Sequence, residues 1–127
     1  MSIKIDLKNK NVLITGADGS IGSEITFKFL AAGATCICID KNFKKLKKIK
    51  SKKNFSNRIT LLEIDLENKN FTRNLLRKIQ KNLKIDILIN NAGFTSSRNF
   101  LDYKLKDWEK TLKINLTAPF LLTQMIS

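Results

Sequence analysis

The sequence predicts an α/β protein built on a partial, doubly wound parallel sheet of about four βα units in strand order 3-2-1-4. Three observations predict it. Short β-branched runs alternate with amphipathic stretches along the chain, the pattern of strands crossed over by helices. The strand candidates are apolar almost throughout, as a sheet covered on both faces requires. The first of them runs straight into a glycine cluster. Right-handed crossovers leave few topologies for such a chain, and the doubly wound order is the natural one.

Taken in order, Asn11 to Thr15 (NVLIT) reads as the first strand. Ser20 to Ala32 follows with Ile21, Ile25, Phe29 and Leu30 at helical spacing, and Gly33 is the expected stop. Thr35 to Asp40 (TCICID) is a second strand ending in an acid. Lys41 to Asn54 is dense in lysine, yet Phe43, Leu46 and Ile49 recur every three residues and predict a short amphipathic helix. Arg58 to Leu66 is the third strand. Asn70 to Leu83 sets Phe71, Leu75, Leu76, Ile79 and Leu83 on one helical face. Asp86 to Asn90 (DILIN) is the fourth strand. A last helix is expected from near Asp102, with Leu105, Trp108, Leu112 and Leu116 inward and Pro119 kinking or interrupting it.

The 127 residues hold one core and not two ordinary domains. Nothing suggests an internal linker, a repeat or a low-complexity tail. No apolar run approaches the ~20 residues of a membrane-spanning helix, and Met1 to Lys10 lacks the apolar stretch of a signal peptide. The cytoplasm is the expected location and a membrane is not an expected partner. The chain carries 24 Lys and Arg against 11 Asp and Glu, a net charge of +13. Aromatic side chains are not interleaved with the basic ones as a nucleic-acid stacking surface needs, so nucleic acid is disfavoured as a partner. Cys36 and Cys38 sit two apart on one face of a strand. With no His anywhere in the chain, they make a poor metal site and read as packing.

The chemistry is concentrated at the strand ends. Thr15-Gly16-Ala17-Asp18-Gly19-Ser20-Ile21-Gly22 joins the first strand to the first helix. Glycines there let the backbone turn tightly and approach a pyrophosphate, to which the helix offers free N–H groups and positive dipole. Asp40 follows 18 residues beyond Gly22 and 24 beyond Gly16, bracketing the spacing of the acid that binds a dinucleotide's ribose.

Thr15-Gly16 to Gly22, Asp40, Asp65-Leu66, Asn90-Asn91-Ala92-Gly93 and Asn115-Leu116 are together spaced as in the short-chain dehydrogenase/reductase family, which the chain resembles along essentially its whole length. The resemblance implies a Rossmann-type fold and residues 1–127 as the N-terminal portion of a single dinucleotide-binding domain. It also implies roles. Thr15, Gly16, Gly19, Ser20, Ile21 and Gly22 would hold the pyrophosphate. Asp40 would take the adenine ribose hydroxyls, and Asp65 and Leu66 the adenine. Asn91, Ala92 and Gly93 would line the cleft. Asn115 matches the helix asparagine that supports a proton-relay water, a supporting catalytic role. Asp40 favours NAD over NADP, because a carboxylate repels a 2′-phosphate, while Lys41 beside it offers the opposite charge.

Two departures qualify the resemblance. The loop has Ser20 where the short, single-domain members usually have Gly or Ala, and its Gly-x-x-Gly-x-x-Gly spacing is that of the longer sugar-nucleotide epimerase and dehydratase branch. The Asn-Asn-Ala-Gly tetrad belongs to the short branch and is the longer, more specific motif. The second departure concerns the reacting groups. Family members use a serine and a Tyr-x-x-x-Lys pair placed after a fifth strand. The one tyrosine here, Tyr103, is followed at the lysine's place by Asp107, and Ser96 and Ser97 come one strand early.

Three functions are therefore in view. The first is an NAD(P)-dependent oxidoreductase present as a truncated or partial chain, inactive alone. The second is a non-catalytic dinucleotide-binding or regulatory module. The third is a basic interaction protein. The expected partners are the dinucleotide cofactor and either a second chain supplying the missing half or a homo-oligomer. An open fourth-strand edge, and Phe120, Leu121, Leu122 and Met125 left without cover, predict low stability for the chain by itself.

Overall fold

The computed structural model describes residues 2–127; residue 1, where the reading of the N-terminal segment begins, lies outside the described residues. Four strands form one parallel sheet: β1 (Asn11–Thr15), β2 (Thr35–Asp40), β3 (Ile59–Glu63) and β4 (Ile87–Ile89), in the order β3-β2-β1-β4. The helices between and after them are α1 (Ser20–Ala31), α2 (Lys45–Lys50), α3 (Phe71–Lys78), α4 (Leu105–Leu112) and α5 (Ala118–Ile126). This is the expected order, in a partial Rossmann arrangement.

Alternation along the strands sends successive side chains to opposite faces. Val12, Ile14, Cys36 and Cys38 pack under α1 and α2 with Leu30, Phe43 and Leu46. Leu13, Ile37, Ile39 and Leu62 pack on the other face with Phe71, Leu75, Ala118 and Leu122. Each large aliphatic buried this way contributes roughly 1.5–3 kcal/mol. Both cysteines are buried free thiols, and burial pushes the Cys36 thiol up to about 12. They are packing residues, as their spacing implied.

Register is fixed from the side. The Arg58 guanidinium donates to the carbonyls of Leu30 (3.0 Å) and Ala34 (2.7 Å), tying the end of α1 to the start of β3. Gly33, at φ +96°, makes the turn that a side chain would strain. At the far edge, the Asn11 N–H donates to the Asp86 carboxylate at 2.9 Å and the Asp86 N–H donates to the Asn11 carbonyl at 2.9 Å, pinning β4 to β1.

Several packing expectations fail, each for a local reason. Ile21, assigned to the apolar face of α1, is 70% exposed, because the small residues Gly22, Ser23 and Thr26 are the ones pressed on the sheet. Leu76 points out of α3 while Phe71 and Leu75 fill the core. Leu105, Trp108, Leu112 and Leu116 lie outward, with Leu105 71% and Leu116 65% exposed. The side that reaches the sheet carries Ala118 and Leu122, both placed after the π turn at Lys113–Thr117. Leu122 is buried, Leu121 and Met125 pack half-buried against that same cluster, and Phe120 is exposed. Pro119 interrupts the α-helical pattern, as expected, through a π turn at Lys113–Thr117 just before it. The second and third helices are shorter than their periodicity predicts. No helix among the described residues is long and apolar enough to cross a membrane.

The Asp86 carboxyl is held below its ordinary value chiefly by the hydrogen bond from the Asn11 backbone N–H, with Lys10 and Lys84 adding to it. A depressed carboxyl stabilises the fold at pH above its unfolded value of about 3.9, and that stabilisation is lost as pH falls through the lower folded value. The urea midpoint of Asp86→Asn is therefore expected below that of the unaltered chain at pH 7, with the gap closing below about pH 4. Equal midpoints at pH 7 would remove this role for Asp86.

Candidate functional site

A cleft of about 450 Å³ opens at the carboxyl ends of the strands, where the order of the sheet reverses between β1 and β4. Ligands of open α/β sheets bind at this place. Gly16, Gly19, Ser20, Ile21, Gly22, Asp40, Asp65, Leu66, Asn91, Ala92 and Gly93 line it, joined by Ile39, Lys41, Ile64 and Ile114. All but two of the residues singled out in the sequence thus meet in one cleft. The two exceptions are Thr15, which is buried, and Asn115, which is exposed beside the lining residues Gly93 and Ile114.

Thr15 is buried, and its hydroxyl oxygen accepts the N–H groups of Asn91 (3.1 Å) and Ala92 (2.9 Å). The Asn91 amide returns the link, donating to the carbonyls of Thr15 (3.2 Å) and Gly16 (3.0 Å). The loop after β1 and the loop after β4 are thereby locked together across the switch point. The packing leaves no room for side chains. Gly16 has φ +60°, and a Cβ there would stand 2.8 Å from the Ala92 Cα. On Gly22 a Cβ would fall on the Gly16 carbonyl oxygen and 2.7 Å from the Asn91 amide nitrogen.

The helix that follows is left open at its start. Its N-cap is Gly19, without a side-chain cap, and no acid lies in its first turn. The first backbone group to bond back is the Ser23 N–H, which reaches the Gly19 carbonyl at 2.9 Å. The N–H groups of Ser20, Ile21 and Gly22 come before that point and belong to the donors that a helix cannot satisfy internally. Three open donors with a positive helix end, above a floor of glycine, suit an anion.

Acids ring the opposite side. Asp40 ends β2, its carboxylate accepting the N–H groups of Asp18 (2.9 Å) and Lys41 (2.8 Å). The Lys41 ammonium is turned toward Glu67 (3.5 Å) and Asp65 (4.0 Å). Glu67 also meets Lys110 at 3.6 Å, whose ammonium lies 4.2 Å from the centre of the Phe94 ring. Exposed pairs of this kind are worth about 0–1 kcal/mol each; their consequence is positional, since the Lys41 charge already has two carboxylate partners.

Asn115 lies within the π turn, and its amide binds the Phe94 backbone at both ends, accepting from the N–H and donating to the carbonyl at 2.8 Å each. Tyr103 is outside the cleft lining, and its hydroxyl is 2.8 Å from the Thr111 hydroxyl. Ser96 and Ser97 lie in the loop between β4 and the 3₁₀ turn at Phe100–Asp102. None of the three is among the residues lining the cleft. Sequence reasoning missed Asp18, whose carboxylate accepts the N–H groups of Lys44 (2.8 Å), Lys45 (3.3 Å) and Leu46 (2.8 Å). It also missed Ile64 and Ile114. Ile64 extends the apolar run of β3, a signal that was there to be used. Nothing local marks Asp18.

Fold and cleft together define a partial Rossmann-type α/β protein with a cleft at its switch point. Comparison with known proteins narrows this. The model of the short chain dehydrogenase family matches residues 10–127. A 3-oxoacyl-(acyl-carrier-protein) reductase of Aquifex aeolicus (strain VF5) is 34% identical over 125 residues, which are 96% of this chain and 50% of the relative. Among solved structures, a short chain dehydrogenase from Leptospira borgpetersenii with bound NAD+ superposes with a TM-score of 0.81 at 31% identity, over 99% of this chain and 49% of that one. A 4-hydroxyisoleucine dehydrogenase complexed with NADH gives 0.84 at 29%, over 93% and 48%. The chain belongs to the short-chain dehydrogenase family, and it spans about half the length of the curated relatives it matches.

Adding a methyl group at Gly22 overpacks backbone against backbone, which has little room to yield. Gly22→Ala is expected to lower stability by about 1–3 kcal/mol, read as a lower urea midpoint at unchanged slope. An unaltered midpoint would show that the loop packs differently.

Proposed function

We propose that this chain is the cofactor-holding part of an NAD-dependent oxidoreductase, and that it has no turnover by itself. The observation that carries the proposal is the uncapped start of α1 above a glycine floor, with Asp40 at the neighbouring strand end. The cradle fits a dinucleotide. The donors of Ser20, Ile21 and Gly22 would hold the pyrophosphate, with Thr15, Gly16 and Gly19 shaping the turn. Asp40 would accept the adenine ribose hydroxyls. Asp65 and Leu66 would contact the adenine, and Asn91, Ala92 and Gly93 would border the nicotinamide side. When bound, the cofactor supplies or accepts a hydride at its nicotinamide ring. Asn115 would have a supporting part, keeping the backbone at Phe94 in place where the cleft continues.

NAD is favoured over NADP because Asp40 faces the cleft while Lys41, the nearest opposing charge, is paired with Asp65 and Glu67. The proton-transferring serine and Tyr-x-x-x-Lys pair would come from a further stretch of chain or from a second chain. The outward row of Leu105, Trp108, Leu116 and Phe120 supports a covering partner of that kind, or a homo-oligomer. One observation favours a second reading, a binding or regulatory module without chemistry: the hydroxyl of Tyr103 is engaged by Thr111 away from the cleft.

Both readings require binding. Titration with NADH, followed by nicotinamide fluorescence and by calorimetry, is expected to saturate below millimolar concentration while the chain alone oxidises no NADH with carbonyl substrates. Absence of any response at millimolar NADH would overturn both. Turnover by the chain alone would refute the division of labour between binding and proton transfer.

A further inference from the structure

The rim of the cleft next to Asp40 has two opposed features. The stretch from Lys41 to Lys53 holds eight lysines and no acid, and it passes directly beside the cleft. Lys41 lines the cleft, and the Lys45 ammonium lies 3.4 Å from the hydroxyl of Ser20, another lining residue. By charge alone this edge should prefer a phosphorylated ribose. Against it stand Asp65 and Glu67, which pair Lys41, and two further carboxylates, Asp40 and Asp18, the second of which came to light only in the fold.

Asp18 is the residue between Ala17 and Gly19 of the phosphate loop, half-buried at the foot of the lysine stretch. Its carboxylate takes three N–H groups, from Lys44, Lys45 and Leu46, at 2.8, 3.3 and 2.8 Å. Its own N–H donates to the Asp40 carboxylate at 2.9 Å. A carboxylate held by three backbone donors has a fixed position and cannot swing away from an approaching anion. The same residue therefore adds a fixed negative charge, holds the first turn of lysines in place, and turns Asp40 into the cleft.

We propose that Asp18 is a specificity-determining residue of the cofactor site, acting with Asp40 to select a dinucleotide whose adenine ribose carries a free 2′-hydroxyl over one carrying a 2′-phosphate. The inference rests on the dinucleotide reading given above. Asp40 supplies the acceptor for the hydroxyl. Asp18 supplies a further fixed charge beside Lys44 and Lys45, while Asp65 and Glu67 already pair Lys41.

The test is the ratio of dissociation constants for NADPH and NADH, measured by calorimetry on the full chain at low and at physiological salt. Asp18→Asn removes the charge. Asp18→Ser also does so and retains an oxygen that can accept N–H groups at the start of α2, which guards against loss of that turn. Either substitution is expected to shift the ratio toward NADPH by about tenfold, more at low salt than at high salt. A purely structural role for Asp18 would weaken both cofactors in parallel and leave the ratio unchanged, and that result overturns the proposal. If the unaltered chain binds NADPH as tightly as NADH, the proposal also fails while the cofactor reading survives. If the unaltered chain binds neither, the cofactor reading itself fails and this one with it.

Discussion

The space denied to a side chain at Gly22 is the constraint on which the rest of the cleft depends. A Cβ there would meet the Gly16 carbonyl oxygen and the Asn91 amide together. Because that volume is empty, α1 can begin directly against the turn after β1. Because α1 begins there, its free N–H groups point over the carboxyl ends of the strands and not into solvent. The Asn91 amide fills the position a bulkier turn would need, and holds the Thr15 and Gly16 carbonyls through its two donor bonds. One missing methyl group thus couples two loops that are far apart in sequence, and both are fixed before any ligand arrives. Preorganisation of this kind lowers the ordering cost of binding.

How much of this is legible in the sequence depends on whether a signal is local. Strand positions were legible because a sheet covered on both faces needs apolar residues at every place, and β1 and β2 agree with their runs residue for residue. The cleft residues were legible because glycine and Asn-Asn-Ala-Gly spacing encodes backbone turns. The inward face of the last helix was not. Leu105, Trp108, Leu112 and Leu116 are large apolar residues of that stretch, yet the sheet is met through Ala118 and Leu122, which follow the π turn at Lys113–Thr117. Periodicity ranks faces by hydrophobicity, while packing against a sheet selects them by shape. Ile21 fails for the same reason, displaced outward by Gly22, Ser23 and Thr26. Asp18 was illegible on different grounds, since its partners lie 26 to 28 residues further on.

Charge shows the same separation between composition and site. The chain as a whole is strongly basic, with 11 acids against 24 bases, and composition alone would make it a candidate for anionic partners generally. Four of those acids, Asp18, Asp40, Asp65 and Glu67, gather where β2 and β3 end. Three of them accept backbone N–H groups: Asp18 from the start of α2, Asp40 from Asp18 and Lys41, and Asp65 from Glu67 at 2.9 Å. Acids used as backbone acceptors have fixed positions, whereas the lysines around them are mostly exposed. A fixed minority charge decides the local potential over distances shorter than the ~8–10 Å at which salt screens it. The cleft therefore has the positive end of an uncapped helix on one side and carboxylates held by the main chain on the other, with the lining Lys41 paired to Asp65 and Glu67. The basic surface outside it bears on encounter and solubility, which net charge governs, and not on the shape of the cleft.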